Sequence, residues 1–328
     1  MRLVTFEIPG IPGKLSRIGA LTPDGRIVDL TVAYRLMLVR SGMTKSAADR
    51  ISGALVPPDM LLFIEGGGGS LEAARKAFDW ALEATVPDGE MCMFSQGAVA
   101  IRSPIPRPPL LRDFMAFEEH LQNIYPKLGR SIPPEWYNLP VYYKGNPGST
   151  GGDGDDIRIP SYEQELDYEF EMAFVIGVGG ADIRPEDAFK HIYGYMIYND
   201  FSARSIQERE MTVGLGPAKG KDFQRGHVLG PYLVTADEIS DVYNLTMTAR
   251  VNGKEICRTN TRTIHWKFED MIAHASRDEE LVPGEVFGTG TVGNGSGKEL
   301  GKLLKAGDVI ELTVEGLGTL RNKVISNR

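Results

Sequence analysis

The stretch LDYEFEMAFVIG, residues 166–177, constrains the chain more than any other. Asp167, Glu169 and Glu171 alternate with Tyr168, Phe170 and Met172, and an apolar run from Ala173 to Ile176 follows. Alternation with period two marks a β-strand, and a short apolar run ending in glycine marks a strand covered on both faces. Side chains two apart share a face, so Glu169 and Glu171 project together, roughly 6–7 Å apart at the backbone. Either that face is solvated, or the carboxylates enter a shielded place where they repel unless a cation separates them. Carboxylate oxygens without histidine or cysteine nearby favour Mg2+, Mn2+ or Ca2+ over zinc.

Further alternating runs, GPYLVTA, LTMTARVNG, VIELTVEG and TLRNKVI, are separated by glycine-rich turns. They predict a fold of the α+β class, mainly β, with a sandwich or roll in the C-terminal part rather than a parallel βαβ sheet. The first 35 residues are β-rich, with RLVTFEI and RIVDLTV split by TPDGR. Helical spacing occupies Ser46 to Leu55 and Ser70 to Ala84, with Ser70 as the expected N-cap. The proline-rich IRSPIPRPPLLRD reads as a linker, dividing a small N-terminal α/β domain, 1–100, from a catalytic domain, 101–328.

The formal net charge of −8 comes without a basic stripe, so nucleic acid is not an expected partner. No run of ~18 apolar residues implies a membrane span, and two cysteines, Cys92 and Cys257, suit a reducing, cytoplasmic setting.

Several polar residues fall where chemistry could use them. Asp200 ends the run YGYMIYND, where it either caps a following helix or reaches the same cation as Glu169 and Glu171. Arg204 and Gln207 share a face of that helix as a carboxylate clamp, unless Arg204 pairs with Glu208. Lys221 lies in GLGPAKGKDF, where backbone can approach a ligand, or is simply part of a surface loop. Thr291, in GTGTVG, either caps backbone or belongs to an anion-holding nest. His120 follows Asp113 by seven residues and is either structural or a neutral-pH base.

The ordered set RDF…H, VYYKGNP, YEFEMAFVIG, YNDFSARSIQ, GPAKGKDF, GTGTVG and GDVIELTVEGLGTLRN resembles the fumarylacetoacetate hydrolase family over residues 105–328. The resemblance implies a mixed β-roll holding a divalent metal, Mg2+ or alternatively Mn2+ or Ca2+, through Asp113, Glu169, Glu171 and Asp200. It implies His120 as catalytic base oriented by Glu299, and Lys221 as oxyanion partner. Tyr143, Arg204, Gln207 and Thr291 take substrate-site positions, while Met115 stands where a substrate-facing tyrosine belongs. Related decarboxylases and acylpyruvases carry a glutamate three residues after the histidine; here that residue is Asn123. The implied activity is hydrolysis of a carbon–carbon bond in a 1,3-diketo acid, acylpyruvate or fumarylacetoacetate-like, in aromatic-compound catabolism, by a homodimer. Decarboxylation, hydration or isomerisation of an oxo-acid at the same metal–enolate site is the alternative, because fold and metal do not choose among these reactions. Residues 114–140 are expected to close as a lid.

Overall fold

The computed structural model describes residues 1–10, 16–83 and 91–327. Two sheets form its core. The larger runs in the order Met93–Ser95, Arg26–Asp29, Arg17–Leu21, Arg2–Glu7, His227–Thr235, Ile192–Asp200, Phe170–Ile176, Val286–Gly288, Leu111–Phe114, Tyr142–Gly145. The smaller has five strands, Lys254–Asn260, Thr246–Val251, Val309–Val314, Gly318–Ile325 and Asp156–Arg158. The α+β, mainly β, architecture is therefore present.

Hydrogen bonding in the larger sheet runs across the place where the sequence suggests a domain division. Arg2 pairs with Val234, and Ala100–Arg102, at the start of the proline-rich segment, pairs with Thr5–Glu7.

Strand Phe170–Ile176 answers the question its sequence poses. Phe170, Met172, Phe174 and Ile176 pack toward the smaller sheet with Met247, Leu312 and Leu320. Ala173 and Val175 pack on the other side against residues of the helices Leu30–Arg40, Met60–Glu65 and Gly67–Glu83. Glu171 shares the face of Ala173 and Val175 by the two-residue period. The same face carries Met196 and Tyr198, hence Asp200, and Leu111, hence Asp113. One sheet face is thus apolar beneath the helices and acidic at its far end.

Two local expectations change. RIVDLTV is a strand only to Asp29, whose carboxylate accepts the Val32 N–H at 3.0 Å and starts a helix at Leu30. Ser70 is not an N-cap. Its helix begins at Gly67, and Ser70 is buried inside it. Ala84, the expected end of that helix, lies outside the described residues. The helix Glu118–Ile124 stops before Pro126. Among the described residues no helix is long and apolar enough to cross a membrane.

Candidate metal centre and active site

Strand register brings three carboxylates together. Glu171 lies opposite Tyr198, two residues before Asp200, in the antiparallel pair. Asp113 comes from the next strand but one, where it pairs in parallel register with Gly288. The intervening residue has to be small. A Cβ on Gly288 would lie 2.6 Å from Asp113 Oδ1 and 2.7 Å from the Tyr198 ring. The glycine opens the gap through which Asp113 reaches its neighbours. One oxygen from each of Asp113, Glu171 and Asp200 falls within 4.8 Å of the others, and all three side chains are buried.

The electrostatics of the three differ. Burial, and then the neighbouring Asp200 charge, push the Asp113 carboxyl well above the usual carboxylate range. Burial and then Asp113 do the same to Glu171. Burial alone would also raise Asp200, but Lys221 and His227 outweigh it and hold Asp200 well below its ordinary value. Asp113 Oδ1 is buried without a hydrogen-bond partner. Glu171 accepts the Gly290 N–H at 2.8 Å and the Thr291 hydroxyl at 3.4 Å. An orphaned carboxylate oxygen, two carboxyls destabilised as anions and an all-oxygen donor set fit a hard divalent cation.

Glu169 stands outside this group. Its oxygens take Arg204 at 2.7 Å and the Lys221 ammonium. Burial would raise its carboxyl, but Arg204 and Lys221 hold it down to about 2. Lys221 also reaches Asp200 and, at 2.7 Å, the Ser202 hydroxyl. Two fixed cations thus compete for Glu169, which the sequence grouped with the metal ligands. Its alternation with Glu171 indicates a shared face and nothing about which charges face it.

Arg204 pairs with Asp167 at 2.6 Å and donates to Gln207 at 2.9 Å, while Glu208 pairs with Lys298. Asp167, fully buried, also accepts the Gly297 N–H at 2.6 Å and so ties the Arg204 helix to the segment bearing Glu299. The Tyr143 hydroxyl donates to Asp200 at 2.7 Å. Tyr143 and Thr291, expected at the substrate, both touch carboxylates of the cradle here.

His120 Nδ1 lies 2.9 Å from Glu299 Oε2, at ion-pair distance though without hydrogen-bond alignment. Burial would raise Glu299, but His120, Asn123 and the Asn294 N–H hold it below the ordinary value. Asn123 donates to the other Glu299 oxygen at 3.0 Å. The segment expected to act as a lid is tied down here, with the Ala116 N–H on the Thr289 carbonyl at 3.0 Å and the Trp266 indole on the Trp136 carbonyl at 2.9 Å.

Sequence reasoning missed His227 although it stands in GPAKGKDFQRGHVLGP. It is fully buried between Asp200 and Asp222, 3.1 Å from each. Burial would lower its imidazole, but hydrogen bonds to the two aspartates reverse this and raise it to about 9. A histidine followed by an apolar run carried no pattern, and only strand pairing sets it beside Asp200.

Comparison with known proteins agrees with this geometry. The fumarylacetoacetate (FAA) hydrolase C-terminal family matches residues 110–325. The chain is 35% identical over 330 residues to a mitochondrial oxaloacetate tautomerase of Xenopus laevis, covering 99% of this chain and 90% of that one. It is 34% identical to a mitochondrial oxaloacetate tautomerase of Homo sapiens, covering 99% and 92%. The fumarylacetoacetate hydrolase from Exiguobacterium antarcticum superposes with a TM-score of 0.73 at 25% identity, covering both chains fully. The tautomerase relatives overturn the expected carbon–carbon hydrolase. Tautomerases and hydrolases share this fold, so His120, Glu299 and Asn123 could not by themselves choose between the two reactions.

Proposed function

The chain belongs to the fumarylacetoacetate hydrolase family, and from that premise we propose that it is a metal-dependent oxo-acid isomerase, a keto–enol tautomerase acting on oxaloacetate. The observation that carries the reading is the buried Asp113, Glu171 and Asp200 cluster in a chain so similar to named tautomerases. Tautomerisation moves one proton between carbon 3 and the 2-oxo oxygen. It breaks no carbon–carbon bond and consumes no water.

Asp113, Glu171 and Asp200 would hold the ion, which we assign as Mg2+ with Mn2+ as the interchangeable hard cation. When bound, such a cation supplies Lewis-acid polarisation of the 2-oxo group. The remaining work falls to the chain's own residues. Lys221 and Arg204 sit among carboxylates that raise them above their ordinary values despite burial, so both stay protonated and neither can act as the base. Arg204, with the Gln207 amide beside it, offers N–H donors to a substrate carboxylate. His120 is left as the side chain suited to exchanging a proton with carbon 3 near neutrality, with Glu299 holding the ring. We assign catalysis to residues 101–328 and, on the family resemblance, propose a homodimer.

Mixing the protein and Mg2+ with freshly dissolved enol oxaloacetate tests the reading by ultraviolet loss of the enol. Acceleration that EDTA removes is the expected result. No acceleration of the enol–keto exchange, with turnover of an acylpyruvate instead, would overturn it.

A further inference from the structure

We propose that His227 is a positioning residue that fixes the Asp200 carboxylate for cation binding and joins it to the substrate-side segment 142–149; the inference rests on the cation reading above. Asp200 ends its strand, where a carboxylate is free to rotate unless both oxygens are held. One oxygen takes the Tyr143 hydroxyl at 2.7 Å and the Lys221 ammonium. The other is 3.1 Å from His227 Nδ1. The far side of the ring, Nε2, is 3.1 Å from Asp222 Oδ1, which also accepts the Asn146 N–H at 2.9 Å. The Asp222 carbonyl accepts the Ser149 hydroxyl at 3.2 Å. Tyr198 places its hydroxyl 2.7 Å from Nδ1 and closes the remaining side. Gly145 lies close against the ring, since a Cβ there would be 3.0 Å from Cε1 and Nε2.

The imidazole is therefore a second link, beside the Tyr143 hydroxyl, between a ligand carboxylate on one strand and the segment 142–149. A planar side chain with a polar atom at each end can bridge two carboxylates within a closed space. Hydrogen-bonded partners of this kind orient metal ligands, and their loss typically costs about 10–100-fold in metal affinity.

Calorimetric titration of the full chain with Mn2+ tests this. H227A is expected to weaken Mn2+ binding by about 10–100-fold. H227N, whose amide nitrogen can stand where Nδ1 stands, should recover most of that loss, and D222N should fall between wild type and H227A. A role confined to packing would lower the melting temperature of H227A while the folded fraction kept wild-type affinity. D113N serves as the control for the cradle. H227A and D222N at wild-type affinity, with D113N losing binding, would overturn the inference and leave the cation reading standing. Wild type that binds no Mn2+ overturns the cation reading itself. If H227A does not fold, D222N at wild-type affinity is enough to overturn the inference.

Discussion

His120 and Glu299 meet at 2.9 Å although 179 positions separate them, and Asn123 holds the opposite Glu299 oxygen at 3.0 Å. The histidine thus has a partner that can fix its orientation while it exchanges a proton. H120A is expected to lower kcat for enol–keto exchange by about 100-fold or more. Mn2+ affinity should stay within threefold of wild type, because His120 touches none of the three converging carboxylates. E299Q should lower kcat by a smaller factor. Steady-state kinetics beside calorimetry would check both, and H120A turnover within tenfold of wild type would exclude His120 as the proton carrier.

Burial and the Asp200 charge raise the Asp113 carboxyl, and burial and Asp113 raise that of Glu171. A carboxyl raised in the folded state opposes folding at any pH above its unfolded value. D113N or E171Q should therefore stabilise the cation-free protein by on the order of 1 kcal/mol. Each should also abolish the rise in melting temperature that Mn2+ gives wild type through preferential binding to the folded state. Thermal scans with Mn2+ and with EDTA measure both effects. A variant that is less stable than wild type in EDTA, or still responds to Mn2+, would contradict the account.

Gly288 separates the Asp113 strand from the Glu171 strand. G288A places a methyl group 2.6 Å from Asp113 Oδ1 and 2.7 Å from the Tyr198 ring. Asp113 must then move away from its neighbours. G288A is expected to lose Mn2+ binding by at least tenfold while circular dichroism stays that of wild type, and full Mn2+ affinity would show that the gap is not needed.

Glu169 is held down to about 2 from an ordinary 4.5 by Arg204 and Lys221, against the opposing effect of burial. A depressed carboxyl contributes stability that is fully present above its unfolded value and is lost as pH falls through the folded value. Unfolding free energy should therefore decline as pH drops from about 4.5 toward about 2, with Glu299 adding to the loss in the same direction. E169Q leaves Lys221 and Arg204 with fewer partners and should cost about 3–5 kcal/mol at neutral pH. It should also flatten the acid limb. Urea melts across that pH range would show whether wild type and E169Q converge as the pH falls.

The fold was legible in the sequence wherever a period was clean. The apolar run that ends the 166–177 stretch and the later alternating runs located strands, and the spacing in 70–83 located a helix. Boundaries that depend on one capping side chain were less legible. Asp29 ended a strand that its apolar neighbours would have continued, and Ser70, a good cap in isolation, lies inside a helix that starts earlier.

The site divides in the same way. The sequence by itself determined that acidic side chains share a strand face and that Arg204 and Gln207 share a helix face, because both follow from the geometric repeat of a single element. Tertiary structure alone decided that Asp113 joins Glu171 and Asp200, that Glu169 turns to Arg204 and Lys221, and that His227 stands behind Asp200. Those outcomes depend on strand order, register and a missing Cβ at Gly288. A local repeat fixes which way a side chain points, whereas its neighbours and its ionisation are set by segments that meet it from far along the chain.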